Sequence, residues 1–106
     1  MKIQIKATNL ELTPAIRAFV EEKMNMVDKY FGEITPTMCQ FEVDLVSHHH
    51  HKGDIFRAEV NLEVPGELLR VEKTEGDLYK AIDKVKEHLV EVVKKYKEKK
   101  IGRQRE

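Results

Sequence analysis

Residues 54–74, DIFRAEVNLEVPGELLRVEKT, decide the fold. Phe56, Ala58, Val60, Leu62 and Val64 alternate with Arg57, Glu59, Asn61 and Glu63. A period of two puts the first set on one side of a strand and the second on the other, so one face is dry and one is wet. Pro65-Gly66 then turns the chain, and LLRVEKT brings it back as the second arm of a hairpin. An L-proline suits the first central position of a type I or II turn better than a two-residue primed turn, so a three-residue loop with a bulge is predicted.

The same device recurs upstream. In residues 37–47, TMCQFEVDLVS, Cys39, Phe41, Val43 and Leu45 oppose Gln40, Glu42 and Asp44. At the N-terminus KIQIKA alternates Ile3 and Ile5 with Lys2, Gln4 and Lys6. Two segments carry the helical period instead. Residues 12–31 open with Thr13 as a predicted N-cap and Pro14 at the first helical position, where its missing N–H costs nothing. Ile16, Phe19, Val20, Met24, Val27 and Phe31 form one apolar stripe, and Gly32 is placed to end it. The last segment begins TEGDLYKAID, with Thr74 and Asp77 read as an N-terminal capping pair. Its stripe is Leu78, Ala81, Ile82, Val85, Leu89, Val92, Val93 and Tyr96.

The order is β-α-β-β-β-α, an α+β chain whose economical packing lays both helices on one face of a four-stranded sheet. At 106 residues, 41% of them hydrophobic, the chain suits one core and is too short for two comfortable ones. Residues 1–101 are therefore read as a single domain and 102–106 as a basic, frayed tail. No apolar run approaches the roughly 20 residues that cross a bilayer, so no membrane partner is expected and a cytoplasmic location is. The single cysteine, Cys39, permits no internal disulfide and falls on the dry side of its strand as a buried thiol.

No enzyme constellation is present in the sequence: no glycine-rich phosphate loop, no nucleophile elbow and no helical pair of metal ligands. The outward acids Glu42, Asp44, Glu59, Glu63 and Glu72 read as a solvated sheet face. Neither a cofactor nor a small-molecule substrate is expected. SHHHHKGD, residues 47–54, lies between two strands and reads as a native loop. In extended backbone His49 and His51 share a side and could supply two metal ligands, whereas a structural zinc site needs four. A solvated loop, a metal-binding loop and a polyanion contact all remain open for His48–His51.

Charge is distributed unevenly. Lys and Arg equal Asp and Glu over the whole chain, yet residues 1–79 hold nine bases against fourteen acids and residues 80–106 hold ten against five. Within 94–105 lie Lys94, Lys95, Lys97, Lys99, Lys100, Arg103 and Arg105 with one acid, Glu98. Such a block is commonly an interaction tail, although cations also suit the last turn of any helix. On the helical wheel Lys80, Lys84, Lys94 and Lys95 oppose the apolar stripe, interrupted by Glu87, Glu91 and Glu98. Arg17, Lys23 and Lys29 on the first helix extend the patch if the helices lie side by side. Lysines that engage phosphates act as point charges and give affinity without base readout.

ELTPAIRAFVEEKM, FRAEVNLEVPGELLRVE and GDLYKAIDKVKEHL…KKYK, in this order and spacing, resemble the ribosome hibernation-promoting factor and ribosome-associated inhibitor A family, once described as sigma-factor modulation proteins. The likeness runs from Lys2 to about Lys100. It implies a β-α-β-β-β-α fold like that of double-stranded-RNA-binding domains. It also implies a non-enzymatic partner of the small ribosomal subunit and its 16S rRNA; the free chain is expected to be monomeric. Such proteins occupy the channel over the decoding region, exclude messenger and transfer RNA, and silence translation in stress or stationary phase. By position, the resemblance places basic or polar rRNA contacts at Arg17, Lys23, Lys29, Lys80, Lys84, Lys94, Lys95 and Lys97, to which the tail adds Lys99, Lys100, Arg103 and Arg105. Asn25, His88 and Glu91 stand where many members carry Lys or Arg, which shifts the expected anchoring toward the tail. The chain resembles a short form, or a piece of a long form without its dimer-forming second domain. A general structured-RNA-binding module and a metal-binding protein using the histidine loop are the competing readings.

Overall fold

The computed structural model describes residues 1–47 and 53–105, with side chains to residue 102. Its elements are β1 (Ile3–Thr8), α1 (Pro14–Asp28), a 3-10 turn (Lys29–Phe31), β2 (Met38–Ser47), β3 (Ile55–Val64), β4 (Glu67–Glu75) and α2 (Leu78–Arg105). The sheet order is β1-β2-β3-β4, with β1 parallel to β2 and the other pairs antiparallel. This is the expected β-α-β-β-β-α fold, and its sheet is mixed. Alternation alone could not say which edge β1 takes; the α1 crossover carries the chain back to run beside β1 in the same direction.

Local chemistry explains where elements begin and end. The Ile16 amide donates to Thr13 Oγ1 at 3.2 Å, and Pro14 follows the cap as expected. Asn9 leaves β1 at φ 62°, a conformation asparagine tolerates, and its amide donates to Asp44 Oδ1 at 3.3 Å. At the far end of β2 the register shifts between Leu45 and Ser47, leaving Val46 outside the ladder and half exposed.

Two local expectations are corrected. The hairpin loop holds two residues, not three with a bulge, because Val64 pairs with Glu67 across Pro65-Gly66. Gly66 has φ 81°, so proline sits at the first central position and the left-handed residue at the second. That is the type II pattern, in which glycine absorbs a geometry other residues resist. Thr74 does not cap α2: it lies in β4, opposite Arg57. Asp77 alone does so, its Oδ1 accepting from the Tyr79 amide at 2.8 Å and the Lys80 amide at 3.4 Å.

The core lies between the sheet and the helices. Val20, Met24, Val27 and Phe31 meet Cys39, Phe41 and Val43, Ala58, Val60 and Leu62, and Ile82, Val85, Leu89 and Val93. Leu69 and Val71 extend it on β4, and Val92, predicted in the stripe, is only half-buried. The Tyr96 hydroxyl donates to the Pro65 carbonyl at 2.7 Å and pins α2 to the hairpin turn. Burial along α2 ends at Tyr96, while helical backbone continues to Arg105, into the stretch 102–106 read as a tail. At 1.5 Å per residue the stretch past Tyr96 is roughly 14 Å long. It helps explain a radius of gyration of 14.9 Å, where about 13 Å is usual for this length.

Candidate nucleic-acid interface

The two surfaces of the molecule differ in how their charges are used. On the open face of the sheet, Glu42, Glu59 and Glu72 stand directly opposite one another across β2, β3 and β4. Like charges in register repel. Arg57 and Arg70 relieve them diagonally. Arg57 lies 2.5 Å from Glu42, 2.8 Å from Glu59 and 3.4 Å from Asp44, and Arg70 lies 3.1 Å from Glu59. The Arg57 hydrogen bond, followed by one from Thr8, holds the Glu42 carboxyl below its ordinary value. Glu59 is also held down: burial pushes it up, and hydrogen bonds from Asn61 and Arg70 outweigh that push. Every outward acid the sequence analysis named except Glu63 therefore has a cation within 4 Å. This face keeps more carboxylates than cations and does not invite phosphate.

The helical side is different. α1 lies beside α2, and the seam between them alternates aromatic rings with cations. At one end Phe19 and Tyr79 meet edge to face, 5.0 Å between centroids, with Lys23 Nζ 5.0 Å from the Phe19 ring. Lys23 also pairs with Asp83 at 3.2 Å and is largely covered, so it ties the helices together. At the other end Met26, Lys29, Tyr30, Lys86 and Val90 line a groove of about 340 Å³. Lys94 Nζ stands 5.6 Å from the Tyr30 ring centroid and 3.6 Å from Glu91. Lys97 reaches back toward Gly32, just beyond the 3-10 turn.

The remaining sequence-predicted cations fall elsewhere. Arg17 is exposed on α1 and faces Glu21 at 3.9 Å. Lys84 bonds Glu75 on the β4 side of α2, and that bond lowers the Glu75 carboxyl. His88 shares this flank with Lys73, Lys84 and Glu87. Lys80 and Lys95 are exposed on α2. Lys99 and Lys100 border the Pro65-Gly66 turn, where Lys100 Nζ lies 5.7 Å from the Tyr96 ring. Arg103 and Arg105 belong to α2 by backbone. One expected patch thus resolves into a seam, a β4 flank and a distal end. His49 and His51 lie outside the described residues. Among those described, no three His, Cys, Asp or Glu side chains converge as a metal site. No described helix is long and apolar enough to cross a membrane.

Sequence reasoning missed Lys86, Tyr30 and Met26. Lys86 sits at the margin of the α2 stripe, where a wheel cannot distinguish a seam from a flank. An available signal was Tyr30, a large ring left outside the stripe beside Lys29.

Residues 3–101 match the model of the family described as Sigma 54 modulation protein / S30EA ribosomal protein. A ribosome hibernation promotion factor of Deinococcus radiodurans is 35% identical over 94 residues, covering 89% of this chain and 48% of that protein. One from Lactococcus lactis is 35% identical over 97 residues, covering 92% and 50%. The chain spans about half the length of these relatives. Among solved structures, the Thermus thermophilus Protein Y N-terminal domain superposes with a TM-score of 0.76 at 36% identity, covering 91% of this chain and 99% of that one. A Coxiella burnetii ribosomal subunit interface protein shares the fold at 22% identity, with a TM-score of 0.77 over 92% and 98% of the two chains. By this extent of similarity the chain belongs to the Sigma 54 modulation protein / S30EA ribosomal protein family.

Proposed function

We propose that this chain is the ribosome-docking domain of a cytoplasmic hibernation factor. It settles on the small subunit over the decoding region, helical side toward 16S rRNA, and blocks messenger and transfer RNA by occupying their place. The observation that carries this reading is the family match over residues 3–101, together with the 35% identity to ribosome hibernation promotion factors. The geometry agrees with it in sign: the seam and distal end of α2 carry the cations, while the open sheet face presents paired acids.

The mechanism is steric and electrostatic, with no bond made or broken. Lys29, Lys86, Lys94, Lys95, Lys97, Lys99 and Lys100 act as point charges on phosphates, and the rigid sheet behind them fills the channel. Lys23 contributes by fixing the angle between the helices.

Sedimentation with purified small subunits tests this. Four phosphate contacts predict a loss of roughly a hundredfold in affinity between 50 and 200 mM salt, by the duplex counterion slope. Transfer RNA should compete, and reversing Lys94, Lys95, Lys97, Lys99 and Lys100 to glutamate should abolish co-sedimentation. Equal affinity for free duplex RNA and for subunits would instead favour a general shape-reading RNA module. Undiminished binding by the reversed variant would refute the anchoring.

A further inference from the structure

A lysine needs only a phosphate, yet the groove at the far end of the α1–α2 seam offers more than charge. Tyr30 is 42% exposed and Met26 37%, and Val90 completes an apolar floor. Large apolar groups left in water at a concave place are a binding feature when polar residues rim them. Here the rim is cationic. Lys29 and Lys86 line the groove, and Lys94 holds its ammonium over the Tyr30 ring. Among the described residues no carboxylate lies within ion-pair distance of Lys29 or Lys86, whereas Lys23, Lys84 and Lys94 each have one.

From this arrangement we infer that the groove takes a single unpaired nucleotide of RNA. Its base stacks on the Tyr30 ring against Met26 and Val90, and its phosphate lies between Lys29 and Lys86. A base has a π-face that a duplex keeps hidden, so an accessible ring edged by lysines selects unstacked over paired RNA. The ammonium of Lys94 yields the ring face to the base and moves toward the phosphate. The inference rests on the RNA-binding reading of the helical side and adds a subsite to it: where phosphate contacts alone would be indifferent to strandedness, this groove is not.

The probe is a ten-nucleotide single-stranded RNA carrying 2-aminopurine, alongside the same sequence paired in a duplex. Binding is read by anisotropy and by the 2-aminopurine emission at 50 and 200 mM salt. The intact chain should prefer the single strand and change the emission of the stacked base. Tyr30→Ala should weaken single-strand binding about tenfold with the salt slope unchanged, and leave the duplex unaffected. Tyr30→Phe should retain affinity, since the ring remains. Lys86→Met should lower the single-strand salt slope by about 0.7. No preference for the single strand, or equal single-strand affinity for the intact chain and Tyr30→Ala, overturns the inference. Co-sedimentation of the same variants with small subunits is scored separately. Failure of the intact chain to co-sediment would sink the ribosomal reading alone.

Discussion

Replacing Arg57 with methionine keeps most of the side-chain volume and removes the cation that separates Glu42, Glu59 and Asp44. Besides a longer, weaker one to Asp44 at 3.4 Å, the variant loses two short charge-assisted hydrogen bonds, to Glu42 at 2.5 Å and Glu59 at 2.8 Å. Each is worth roughly 1 kcal/mol once screening at this water-facing sheet is allowed for. Glu42 and Glu59 are also left directly opposite each other, a repulsion of about 0.5–1 kcal/mol. The variant should therefore be less stable by about 2–3 kcal/mol at pH 7, with a melting temperature lower by about 10 °C. Urea unfolding followed by far-ultraviolet circular dichroism reads this directly, and an unchanged spectrum before denaturation confirms that the fold survives.

The pH dependence supplies the sharper test. In the intact chain Glu42 and Glu59 are held below their ordinary 4.5. Their contribution is complete above that value and is lost as pH falls through their lowered native values. In the variant the crowded carboxylates should titrate above the ordinary value, so acidification from pH 7 stabilises it until they are protonated. The gap between the two proteins should narrow steadily as pH drops. A variant as stable as the intact chain at pH 7, or a gap that ignores pH, would refute the assignment of Arg57 as the neutraliser of this row.

Three further outcomes are expected. Cys39 is fully buried and its thiol is pushed up to about 12 by that burial, so thiol reagents at pH 8 should label it only at the rate at which the chain opens; rapid labelling of the folded protein would contradict its place in the core. Asp77→Ala removes the cap of α2 and should cost about 1 kcal/mol in urea unfolding, whereas Thr74→Ala should cost less than half of that. Tyr96→Phe removes the bond to the Pro65 carbonyl and should also cost about 1 kcal/mol, with faster amide exchange in the Pro65-Gly66 turn.

Alternation, caps and stripes were legible because each is a local property. Ala58, Val60 and Leu62 point inward by period alone, and Thr13-Pro14 marks the start of α1 whatever packs against it. Properties that depend on two segments meeting were not. Arg57 reads as one more outward residue until register places it beside Asp44 and diagonal to Glu42. Lys86 reads as the margin of a stripe until α1 lies alongside and turns that margin into a groove wall. The Thr74–Asp77 spacing suggested a reciprocal cap because nothing in the sequence says that β4 continues through Glu75. The functional reading came from resemblance, since composition alone offered only a basic end on a chain of zero net charge.

That zero has a kinetic consequence. With five more acids than bases in residues 1–79 and five more bases than acids in residues 80–106, whose cations gather toward the distal end of α2, the molecule is an electric dipole although it has no formal monopole. The field of a polyanion exerts a torque on it before any contact, so encounters are pre-oriented and the approach rate should fall with ionic strength. An isoelectric point near neutrality would forecast a protein indifferent to cation exchangers and to heparin, but retention on such resins follows the local surface presented to them.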